Sequence, residues 1–200
     1  MNIERLQLTP NPELFVIKEI ARLSSSRKDK GEDIDGLIKK LIRDKEWSPF
    51  EHAVATYKIT TSRAISAQLV RHRSFTFQEF SQRYAVVTDC EAVELRKQCN
   101  NNRQSSTDVL NNTDLEDKVD NHLSNSMKLY EELLAEDVAR ETARMVLPMA
   151  TQTTLVMTGF IRNWIHFFNL RDSKHAQKEC RLIAQAIKQD LQAHFKYITF

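Results

Sequence analysis

Two hundred residues, 41% hydrophobic and 28% charged, are enough for one soluble domain with a real core. A net charge of +2 and a pI near 8.4 argue against the strongly basic surface that bulk nucleic-acid binding requires. Three cysteines without C-x-x-C spacing argue against a disulfide framework or a structural zinc site, and three glycines leave no Gly-rich phosphate loop.

In chain order, residues 2–7 read as a short strand, and 12–23 as a helix opened by Asn11-Pro12. The stretch 24–33 is polar and reads as a loop. A helix over 34–45 places Ile34, Leu37, Ile38, Leu41 and Ile42 on one face. Ser48–Glu51 is a turn or the first turn of a short helix. Ala53–Thr60 alternates as a strand, with Ala55, Tyr57 and Ile59 on one side. Thr61 or Ser62 caps a helix running to about His72, and 83–88 reads as another strand. Asn100–Asn112 is rich in Asn, Ser and Thr and reads as a loop.

Further on, Val119, Leu123, Met127, Tyr130, Leu133 and Leu134 mark an amphipathic helix. A second helix starts near Glu136 and stops before Pro148. A strand over 150–158 and helices over 160–169 and 174–196 complete the chain. Helices dominate without βαβ alternation, so the expected class is α+β. MNIERLQL has no apolar signal core, and the most apolar run, TTLVMTGFIRNWIHFFNL, is broken by Arg162 and His166. A cytoplasmic protein without a membrane partner is expected.

The chemistry concentrates in RHRSFTFQEFSQR, residues 71–83. Between Thr61 and Thr88 lie Arg63, Arg71, Arg73 and Arg83, against one acid, Glu79. Guanidinium groups suit phosphates because their planar fork donates two parallel, charge-assisted hydrogen bonds. Local positive charge beside aromatic rings asks for a flat anion such as a nucleotide. Phe75, Phe77 and Phe80 are assigned to packing.

Arg71-His72-Arg73, seven residues, then Ser81-Gln82-Arg83 resembles the signature of the flavin-dependent thymidylate synthases. SPFEHAVATYKI at 48–59, RETARMVLP at 140–148 and FFNLRDSKHAQKE at 167–179 are similar to the same family and follow in its order. The resemblance is looser over the first 47 residues and over 89–135, and Gln78 stands where many members have asparagine. It implies one domain over 1–200, a helix-rich α+β subunit around a small, mostly antiparallel sheet. It also implies non-covalent FAD and the methylation of dUMP to dTMP, with methylenetetrahydrofolate as carbon donor and NADPH reducing the flavin. A homotetramer with active sites at subunit interfaces follows from the same resemblance, with no nucleic acid, membrane or metal.

At the matching positions, the resemblance implies FAD contacts from Ser48, Arg71, His72, Arg73, Glu79, Arg162 and His166. It implies dUMP contacts from Gln68, Arg71, Glu79, Ser81, Gln82, Arg83, Arg144 and Arg171. Ser81 is a phosphate-binding hydroxyl in this reading, because a nucleophilic serine would need an adjacent base. Arg171 is the catalytic candidate: a fixed cation at the N3–O4 edge of uracil lowers the cost of charge developing on the ring. The rival reading is a non-enzymatic single-stranded nucleic-acid binder using the Arg/Phe-rich segment 71–84. A third is a family member that binds nucleotide without turnover.

Overall fold

The computed structural model describes residues 1–24 and 33–197. Most of the polar stretch expected as a loop over 24–33 therefore lies outside the described residues. The elements are β1 (Asn2–Leu8), α1 (Pro12–Leu14), α2 (Ile34–Arg43), β2 (Val54–Ser62), α3 (Arg63–Leu69), β3 (Thr76–Glu79), β4 (Arg96–Gln98) and β5 (Ser106–Val109). After them come α4 (Thr113–Ala135), α5 (Arg140–Ala143), β6 (Gln152–Phe160), α6 (Ile161–Arg171) and α7 (Lys178–Gln192). A four-stranded sheet has the order β1-β2-β6-β3, while β4 and β5 pair antiparallel as a separate hairpin. This is the mixed helix and antiparallel-sheet class expected. No described helix is long and apolar enough to cross a membrane.

The chain divides into two compact units: Met1–Asn2, Ile59–Arg71 and Gln78–Leu155 form one, and Ile3–Lys58, His72–Phe77 and Val156–Phe200 the other. In the first, Tyr130, Val87 and Ala143 form a buried cluster with Met127, Leu133, Leu134, Val138, Val146 and Leu147 packed on it. The face of α4 that carries Met127, Tyr130 and Leu134 at helical spacing is thus the one that packs. Asn112 caps that helix by accepting the Leu115 N–H at 3.2 Å. Asp114 and Glu116 in the first turn complement its dipole.

The second unit is built on aromatics. Trp164 is fully buried, with ring centroids 4.7 Å from Phe75, 5.3 Å from Tyr57 and 5.8 Å from Phe167, all close to edge-on. Such pairs add roughly 0.5–1.5 kcal/mol each beyond the apolar area they bury. The Trp164 indole N–H donates to the carbonyls of Ala55 and Gly159, both at 3.2 Å, so its polar atom is satisfied. Tyr57 is likewise buried, and its hydroxyl donates to Asp190 at 2.5 Å. Cys180, Ile183, Ala184, Ile187 and Leu191 form the buried face of α7, and Ile38, Leu41 and Ile42 that of α2. The free Cys180 thiol is held up by burial, as an inert core group.

Several elements differ from the sequence expectation, each for a local reason. The helix expected over 12–23 is present, but after α1 it runs as a π-helix over Phe15–Ile20 and a 3-10 helix over Ala21–Ser24. The helix before the RHR triplet ends at Leu69, short of His72. The helix expected from Glu136 is only α5 followed by a 3-10 turn, Arg144–Val146. Residues 83–88 form no strand, because Tyr84 N–H and Ala85 N–H both turn back onto the Ser81 carbonyl at 3.0 Å. The Val87 N–H reaches the Tyr130 hydroxyl at 3.5 Å instead of a ladder partner. The Asn-rich loop is partly ordered as the β4–β5 hairpin. The strand β3, within the motif itself, was not expected.

Candidate functional site

In the first unit, α3 places Gln68, the turn after it Arg71 and β3 Glu79, and the turn that follows β3 places Ser81, Gln82 and Arg83. Glu79 is the hub. Its Oε1 accepts from the Arg63 Nη1, from the Ser66 hydroxyl at 2.6 Å and from the Thr153 hydroxyl at 3.0 Å. The arginine fork that this carboxylate fixes is therefore that of Arg63. Arg63 stood in the expected arginine cluster but, like Ser66 and Thr153, was not among the expected ligand contacts. Their signal in the sequence is faint: Arg63 and Ser66 lie three apart on α3, and Thr153 falls on the buried side of the alternating strand β6.

Beyond β3, the backbone turns sharply. Ser81 and Arg83 are exposed, and the Gln82 Nε2 is a buried donor with no partner among the described residues. An unsatisfied buried amide costs about 1–3 kcal/mol, so an acceptor brought by a ligand would be well received there. Arg144, at the end of α5, makes only a long 3.4 Å contact from Nε to the Glu141 carbonyl. No described bond joins Arg83 or Arg144 to the Glu79 hub. A cavity of about 150 Å³ between Phe80, residues 86–89 and Gln152–Thr154 is lined by none of the expected ligand residues.

In the second unit, the 3-10 turn Ser48–Glu51 and helix α6 carry three of the expected flavin contacts. Ser48 and His166 are exposed; the His166 ring lies 5.2 Å from that of Trp47. Arg162, one turn before His166, pairs with Glu51, so its guanidinium is already held by an acid. His72 and Arg171 meet: the Arg171 Nε–H donates to His72 Nε2 at 2.9 Å. Burial, and then the charge of Arg171, push His72 down to about 4, so the ring is neutral near pH 7. Arg73 is exposed. A second cavity, about 440 Å³ against residues 5–12 with Ala193 and His194, includes none of the expected ligand residues either.

One contrast runs through both units. Arg63, Arg162 and Arg5 are each paired with a carboxylate, whereas Arg71, Arg73 and Arg83 have no ion pair among the described residues. The RHR-x7-S-x-R stretch thus presents bare guanidinium groups together with small hydroxyl and amide donors. That donor set fits phosphate and pyrophosphate oxygens. It fits FAD and a nucleotide monophosphate on chemistry alone.

Comparison with known proteins agrees with this reading. The family model described as thymidylate synthase complementing protein matches residues 6–195. A flavin-dependent thymidylate synthase of Synechocystis sp. is 40% identical over 188 residues, covering 90% of this chain and 85% of that protein. A protein of Paramecium bursaria Chlorella virus 1 named "Probable flavin-dependent thymidylate synthase" is 44% identical over 158 residues, or 77% of this chain and 73% of that protein. Among solved structures, a UMP/dUMP methylase, PolB from Streptomyces cacaoi, bound with 5-Br UMP, superimposes with a TM-score of 0.79 at 29% identity. That match covers 96% of this chain and 88% of the methylase. The chain belongs to the flavin-dependent thymidylate synthase family.

Proposed function

We propose that the protein converts dUMP to dTMP, with methylenetetrahydrofolate as carbon donor, FAD as cofactor and NADPH as its reductant. The observation that carries the reading is that Arg71, Arg73 and Arg83, all within one motif of a chain of the family, have no ion pair among the described residues. Bound FAD supplies the hydride chemistry. The residues do the rest. Arg71 and Arg73 neutralise the pyrophosphate, His72 borders the flavin, and Ser48, Arg162 and His166 line it from the Ser48–Glu51 turn and α6. Ser81, the Gln82 backbone and Arg83 grip the dUMP phosphate, with Gln68 and Arg144 along the nucleotide. Glu79 touches both ligands through Oε2 while its Oε1 stays with Arg63, Ser66 and Thr153. Arg171 stabilises negative charge on the uracil edge.

In this proposal four copies complete one another's sites. Large apolar side chains left in solvent support it: Tyr84 is 84% exposed, Met145 77% and Met149 61%, all in the first unit. The nucleic-acid reading loses one of its stacking rings, Phe75, which is 7% exposed and packed against Trp164. The test is direct. The purified protein should be yellow and should oxidise NADPH. A colourless protein that refuses FAD and binds single-stranded oligonucleotides with a steep salt dependence would contradict the proposal.

A further inference from the structure

Arg171, the last residue of α6, is held in a way that sets it apart. Where Arg63, Arg162 and Arg5 are fixed, an acid fixes them. A carboxylate orients a guanidinium, but it also cancels the charge and can occupy the fork that a ligand would use. Arg171 has no acidic partner among the described residues; its one described bond runs from Nε–H to His72 Nε2, 2.9 Å away. His72 is itself immobilised, half-buried with its ring edge-on to Phe167 at 5.0 Å and to Phe75 at 6.3 Å. Phe167 is buried, so the imidazole rests on a rigid wall.

We infer that His72 is a positioning residue for Arg171: the imidazole anchors the guanidinium at Nε and leaves both Nη groups and the whole positive charge for the substrate ring. The inference rests on the proposed function for the identity of that ring, but not for the geometry. A neutral imidazole that accepts at Nε2 carries its proton on Nδ1. His72 therefore meets the flavin, or any other ligand, as a donor from Nδ1 and not as an acceptor. The arrangement suits a charge needed at full strength in the transition state, because a neutral acceptor orients without screening.

The test combines a spectroscopic and a binding measurement. In histidine-labelled protein at pH 7, long-range proton–nitrogen NMR should show His72 protonated at Nδ1 and unprotonated at Nε2. This preference should weaken in Arg171→Ala. His72→Gln keeps an acceptor oxygen near the Nε2 position, whereas His72→Leu keeps bulk without one. In protein saturated with added FAD, the Leu variant should lose about tenfold or more in dUMP affinity by calorimetry and a similar factor in kcat. The Gln variant should recover to within a few-fold of the parent. A His72 protonated at Nε2, a Leu variant that binds dUMP like the parent, or a Leu variant defective only in flavin content would each overturn the inference. The tautomer is read without turnover, so it also separates this inference from the functional proposal: protein with the Nδ1 proton that makes no dTMP contradicts the activity, not the anchoring.

Discussion

At the scale of single residues, the arginines divide by what holds them, and that division sets their expected roles. Arg83 sits exposed on the turn after β3 with no ion pair among the described residues. Arg83→Ala should weaken dUMP binding by about tenfold or more, as the loss of a charge-assisted bond, and leave flavin content intact. Equal losses of both ligands in titrations would contradict the phosphate assignment. Arg171→Ala should lower the rate of dTMP formation about a hundredfold with FAD still bound, and parental turnover would refute its assignment. The bare arginines were legible in the sequence because charge and spacing are properties of the motif. The partners of Glu79 and Arg171 were not. His72 and Arg171 are 99 positions apart, and Glu79 and Thr153 are 74 apart. Only the folded sheet and helix α6 bring such pairs into contact.

At the scale of elements, hydrophobic alternation worked where a strand has a buried side. Strand β2 buries Ala55, Tyr57 and Ile59, as its pattern indicated, and α7 buries the face its spacing marked, whereas of the marked α4 face only Tyr130 is fully buried and the rest is half-buried. Alternation misled at 83–88, where it exists in burial but the backbone donors are spent on the Ser81 turn and Tyr130. It was silent at β4 and β5, which are largely polar and exposed, so pattern had nothing to report. Strand β6 offers a sharp check on packing. A Cβ on Gly159 would lie 2.5 Å from Cδ1 and Cε1 of Phe75, inside the aromatic cluster around Trp164. Gly159→Ala should therefore cost about 1–3 kcal/mol through overpacking and lower Tm by several degrees. An unchanged melting curve would show that the Phe75 ring yields freely.

At the scale of the whole molecule, the proposed tetramer has a plain consequence. The 23.3 kDa chain should run by light scattering at four times its own mass. Replacing Tyr84 and Met145, both strongly exposed, by glutamate should lower that mass; a parent protein that is monomeric at assay concentration would contradict shared sites. Fold class was readable in the sequence because helical periodicity outweighed scattered strands, whereas assembly was implied only by family resemblance, since no pattern within one chain encodes which surfaces meet. The proposed function is a transfer of carbon to a pyrimidine by residues of this chain around FAD. Its most direct measurement supplies dUMP, NADPH and methylenetetrahydrofolate labelled with heavy carbon at the methylene, and weighs the nucleotide product by mass spectrometry. The product should be dTMP carrying the label; flavin-loaded protein that oxidises NADPH yet returns dUMP unchanged would refute the proposed function.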